Sequence, residues 1–224
     1  MSVQPLMRLI FLSLITGSVA YGQGLDVSPG VERWPVKTSM LKKSKSKFVP
    51  LQVLLALPNP INKENEAPQE GRILVKVGSI NLKEGDFIKT TGWIHLVALE
   101  KDYNTKRDGD YHIQIRTDST WGDTCLVIEV PYPSFIDDPV LRKSCEDVRK
   151  FIRETLLAGK EPGTGGNVLI HPAYVTVKGQ LFFDAPHLKG APRGKKGKMA
   201  TPMKSYTPWE IHPINAMWFE KKPK

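Results

Sequence analysis

What most constrains this chain is the order of its hydrophobic periodicities: three β-type segments, one long helical segment, then two more β-type segments. Residues 87–100, FIKTTGWIHLVALE, form a long apolar run with Gly92 inside it, and a glycine within a strand marks a bulge or a sharp coil. DYHIQIRT (110–117) alternates with period two, and TCLVIEV (124–130) follows it across the turn WGD. The segment DDPVLRKSCEDVRKFIRETLLAG then opens on acids and places Pro139 in a first turn. It spaces Leu141, Cys145, Val148, Ile152 and Leu156 along one helical face and ends at Gly159. VLIHPAYVTVKGQLFFD (168–184) and WEIHPINAMWFE (209–220) complete the series. This is the chain order of an OB-fold barrel, whereas a β-sandwich carries more strands and no lone helix between the third and fourth. The prediction is therefore an all-β chain with one long helix, an OB-fold-like five-stranded barrel within residues 72–224, preceded by an N-terminal extension. ILVKV (73–77) reads as a further short strand.

The extension divides in two. Arg8, the apolar run LIFLSLITGSVA and the small residues before Gln23 have the order of a secretory leader over residues 1–22. The run is shorter than the roughly 20 apolar residues of a membrane span, so an extracytoplasmic protein, periplasmic or secreted, is expected. Residues 23–71 form a basic arm containing KKSKSK (42–47), with FVPLQVLLAL (48–57) as a short packed helix that stops at PNP. With 40% hydrophobic and 25% charged residues the chain as a whole has the composition of a globular protein. Lys and Arg number 32 against 23 Asp and Glu, an excess that suits nucleic acid or another polyanion as the partner of a monomeric protein. Cys125 and Cys145 are the only cysteines and can bridge in an exported protein, but the helical position of Cys145 suits a buried thiol as well.

Strand parity sorts the polar groups. Successive side chains point to opposite faces, so Asp110, His112 and Gln114 share one face of their strand, and Glu210 and His212 share one face of theirs. These two acid-x-His pairs, with the acids Glu129 and Asp184 and a third imidazole at His187, are the chemistry-bearing residues. With the last strand of the barrel beside the first, both pairs are expected on neighbouring parts of one sheet. Asp110, His112, Glu210 and His212 are then candidate ligands for one divalent metal ion, with Glu129, Asp184 or His187 serving catalysis. The bracing interpretation, in which each imidazole simply bonds a carboxylate and no cofactor is present, fits the same spacing. No cysteine cluster, P-loop or nucleophile elbow occurs. His95 and His171 sit in apolar strand contexts that suit structural roles.

A second signal lies between the last two strands. APHLKGAPRGKKGKMATPMKSYTP carries Lys189, Arg193, Lys195, Lys196, Lys198 and Lys204 and no acid. In an OB fold this connection is one of the loops that grip oligonucleotides, with Trp93, Tyr111, Trp121, Phe182, Tyr206 and Trp209 available for stacking or for the core.

The segments GVERWPVKT, DGDYHIQI, IEVPYP, VTVKGQLFFDAPH, RGKKGK and WEIHPI resemble a group of uncharacterised exported bacterial proteins across most of residues 30–220. The D-x-D-x-H run (Asp108, Asp110, His112) and E-I-H-P are the most specific pieces. The resemblance implies that Asp110, His112, Glu129, Asp184, His187, Glu210 and His212 act as one constellation, and it implies no particular activity. The expected fold is also similar to that of staphylococcal-type nucleases, but their arrangement of arginines and acids has no counterpart here. Three readings follow: an exported polyanion-binding protein, a metal-dependent phosphodiesterase or nuclease, and an extracytoplasmic protein-interaction domain.

Overall fold

The computed structural model describes residues 32–41, 45–100, 109–189 and 192–221; the expected leader, the arm before Glu32, residues 42–44 of the basic run and Asp108 lie outside them. The strands are β1 (Lys47–Phe48), β2 (Phe87–Leu99), β3 (Tyr111–Arg116), β4 (Leu126–Val130), β5 (Asn167–Phe183) and β6 (Trp209–Phe219). β2 to β6 close a five-stranded barrel in the order β2-β3-β4-β6-β5, with β5 returning to β2. All neighbours are antiparallel except β4 and β6, which run parallel at Ile128 and Ile211. This is the OB-fold arrangement, with α3 (Pro139–Phe151) between β4 and β5. β1 adds a short parallel rung at the start of β2.

Closure requires the long strands to belong to two parts of the sheet at once. β2 pairs β5 from Phe87 to Val97 and β3 from Trp93 to Leu99, and its register slips between Ile94 and Leu96 in both ladders. Gly92 stands just before this bulge, and a Cβ there would lie 2.7 Å from the Arg116 carbonyl oxygen and 2.8 Å from Ile115. The strand therefore coils at the residue without a side chain. The barrel interior is filled by Ile88, Ile94, Ile113, Ile128, Val177, Trp209 and Ile211 among others. α3 plugs one end with Leu141, Cys145, Val148 and, on the wider turn that continues it, Ile152. Its N-terminus is capped by Asp138, which accepts from the amides of Val140 and Leu141. Both cysteines are free and buried, and burial pushes each thiol up to about 12.

One segment at the start of the barrel domain differs from expectation. Residues 73–77 form no strand: only Val77 makes a bridge, to Leu82. The segment is instead held by Glu84, whose carboxylate accepts from the Ile73 amide at 2.6 Å. The arm is also tied to the barrel, through Arg33. Arg33, 1% exposed, forms a two-bonded pair with Glu84 (2.7 Å each) and donates to the carbonyls of Phe183 (2.6 Å), Pro68 (2.9 Å) and Gly71 (3.1 Å). α1 (Trp34–Lys37) follows it, and α2 (Leu51–Leu55) packs Leu51 and Leu54 into the core. Sequence periodicity carries no signal for such a pin, because it joins residues 51 apart. Among the described residues no helix is long and apolar enough to cross a membrane.

The pin joins the arm, the loop at 68–73 and the end of β5. Truncating one partner of a buried pair strands the other charge, so Arg33→Ala should lower the unfolding free energy by about 3–5 kcal/mol, read from denaturant titration.

Candidate functional site

The polar residues converge on the outer face of β3, β4 and β6. His112 and Gln114 on β3, Glu129 on β4, and Glu210 and His212 on β6 point away from the apolar interior, as alternation requires. The two acid-x-His pairs do not meet as neighbouring strands, because the last strand pairs with β4 and β5 and not with the first. They meet across β4. The antiparallel register sets His112 opposite Glu129, and the parallel pairing at Ile128 and Ile211 brings His212 to its other side.

Glu129 is thereby held between two imidazoles. Its Oε1 lies 3.1 Å from His112 Nδ1 and its Oε2 lies 3.2 Å from His212 Nδ1. His112 Nδ1 also stands 3.3 Å from Glu100 Oε1. His212, wholly buried, also has Asp110 Oδ2 at 3.5 Å and Glu210 Oε2 at 3.6 Å. Asp110 accepts from the Tyr132 amide through its other oxygen. The four expected ligands therefore do not form one set. Two groups of donor atoms, each within 4.8 Å, share Glu129 instead: Glu100, His112 and Glu129, and Asp110, Glu129 and His212.

A lid of chain covers this layer. The described parts of the connection 185–208 lie over it, fixed by the Gln114 side chain, which accepts from the Lys195 amide (2.6 Å) and donates to the carbonyls of Lys195 and Met203 (3.2 Å each). Backbone bridges join Arg193 to Ser205 and Thr124 to Lys204. Arg193 reaches inward, pairing with Asp184 at 2.9 Å and with Glu210. His187 bonds Asp184 from the surface side at 2.6 Å, so Asp184 and His187 reach the central cluster only through Arg193. Lys195 pairs with Glu100 at 3.1 Å. Of the six basic residues expected to meet a polyanion, Arg193 and Lys195 are thus engaged within the protein, Lys204 is half-buried, and Lys189, Lys196 and Lys198 are exposed.

The remaining candidates divide by burial. Tyr111, Phe182 and Trp209 are buried, Trp93 is half-buried beside Tyr174, Trp121 is half-buried, and Tyr206 is exposed. His95 is buried against the Asp118 carbonyl, and His171 is exposed. Sequence pattern does not single out Glu100 or the pinning role of Gln114. Glu100 does leave a signal, since it ends the first long strand and its amide pairs with the Asp110 carbonyl across the hairpin.

Burial disfavours charge on all these groups, and their neighbours decide the outcome. For His212 burial opposes protonation, but Glu129, Glu210 and Asp110 outweigh it and hold its pKa up at about 10. His112 is raised in the same way, its burial outweighed by Glu129 and Glu100. Burial would raise Glu129, but the two imidazoles hold it well below the usual carboxylate range. Asp184 is also depressed, its burial overcome by Lys37, His187 and Arg193.

The folded pKa of His212 lies above the 6.5 of a free imidazole, so the fold favours the proton. The stabilisation it gives is complete below about pH 6.5 and is lost as pH rises through about 10. Metal-free protein should therefore lose stability steadily over that window in denaturant titrations at stepped pH, and His212→Gln should flatten the slope. No family model, no curated protein and no solved structure matches the chain, so its geometry carries the functional reading.

Proposed function

We propose that this is an OB-fold binding protein for polyanions, nucleic acid first among them, which it grips through the connection between β5 and β6. One observation carries the reading: the acid-free basic connection is fixed to the barrel, so its exposed lysines have defined positions. Gln114, the two backbone bridges and the Arg193 ion pairs anchor it at several points. Lys189, Lys196 and Lys198 are thus presented by an ordered support, which reduces the ordering cost of binding.

In OB folds the ligand commonly lies on the second and third strands, flanked by this loop. Here the loop itself covers that face of β3 and β4, so the ligand meets lysines and the exposed Tyr206 rather than bare sheet. Such a surface favours backbone phosphates over base edges, and the expected binding is sequence-tolerant and strongly salt-dependent. The leader-like order of residues 8–20 supports action outside the cytoplasm.

Replacing Lys189, Lys196 and Lys198 with glutamine should weaken duplex binding and reduce the salt slope by about 0.9 for each phosphate no longer neutralised. Fluorescence anisotropy across a salt series measures both. An unchanged affinity and slope would show that the ligand does not meet this loop.

A further inference from the structure

We propose that Glu100, His112 and Glu129 form a binding site for one zinc-class divalent cation. The arrangement of Gln114 carries the argument. Its amide orientation is set by backbone, since its nitrogen donates to two carbonyls and its oxygen accepts the Lys195 amide. That oxygen also faces His112 Nε2 at 3.3 Å, so Nε2 carries the hydrogen and donates. The neutral ring then has its lone pair on Nδ1, the atom facing Glu129 at 3.1 Å and Glu100 at 3.3 Å. In the metal-free protein a proton on Nδ1 meets both carboxylates, and a metal ion can take that proton's place. Fixing the far nitrogen of an imidazole is also how proteins orient a metal-ligating histidine.

The spacing suits an ion. Bonds of about 2.0–2.2 Å to nitrogen and oxygen place neighbouring tetrahedral ligands about 3.3–3.5 Å apart, close to the separations found here. One imidazole with two carboxylates favours zinc and its first-row neighbours over magnesium or calcium. The surroundings support it independently. No Lys or Arg among the described residues lies within ion-pair distance of Glu129. Behind its second oxygen stands the wholly buried His212, with Nδ1 at 3.2 Å. The outer edge is open, with Glu100 and Lys195 each 26% exposed. The Lys195 ammonium now beside Glu100 can turn to solvent when an ion arrives, leaving a coordination position for water or a ligand oxygen.

The full chain, stripped with chelator and desalted, is titrated with zinc while its melting temperature is followed, and metal retained after gel filtration is counted. The expected result is one retained equivalent and a raised melting temperature. Glu100→Gln, at the exposed edge, should fold as the parent does without metal and bind zinc at least tenfold more weakly. Gln114→Leu should weaken binding about 10–100-fold by releasing the ring. No retained zinc in the parent, or parental affinity in Glu100→Gln, would overturn the site.

Discussion

The structure turns on one carboxylate placed between two imidazoles. Burying Glu129 costs several kcal/mol unless positive charge is near, and among the described residues no lysine or arginine comes within ion-pair distance of it. Barrel closure supplies the answer. β4 is the strand flanked by β3 on one side and β6 on the other, so a histidine from each meets the same side chain. The parallel pairing of β4 with β6 thus both closes the barrel and completes the polar layer.

This dependence explains why the layer is sealed. A cluster of carboxylates and imidazoles exposed on an open sheet would be screened by water and weakly ordered. Beneath the described parts of the 185–208 connection the same groups interact strongly enough to shift one another's protonation in opposite directions. Arg193 couples lid and layer, since its guanidinium pairs with Asp184 at the end of β5 and with Glu210 on β6. The basic connection therefore carries exposed charge on its outer side and supplies buried charge to the fold.

Much of the architecture is legible from local pattern. The order of strands around one helix, the coil at Gly92, the start of the helix and the shared facing of each acid-x-His pair all follow from periodicity and residue type. Adjacency does not follow, because strand order in a barrel is a closure property that no single segment encodes. Chain order suggests the last strand beside the first, and the structure sets it beside the third barrel strand, β4. Residues 73–77 read as a strand by composition, yet the Glu84 carboxylate binds the Ile73 amide in place of a ladder. Arg193 and Lys195 look like their neighbours Lys196 and Lys198 in sequence, and only tertiary structure distinguishes paired from exposed charge.

Paired and exposed charge are nevertheless linked along the chain. Lys195 reaches Glu100 while its backbone is clasped by Gln114, which also faces His112. The next residue is the exposed Lys196. The charge on Glu100 sets the strength of its ion pair with Lys195, next to the exposed Lys196. An ion at Glu100 would release the Lys195 ammonium toward solvent, adding a cation to the face that Lys196 and Lys198 already present. The buried layer and the basic surface are therefore two sides of one loop.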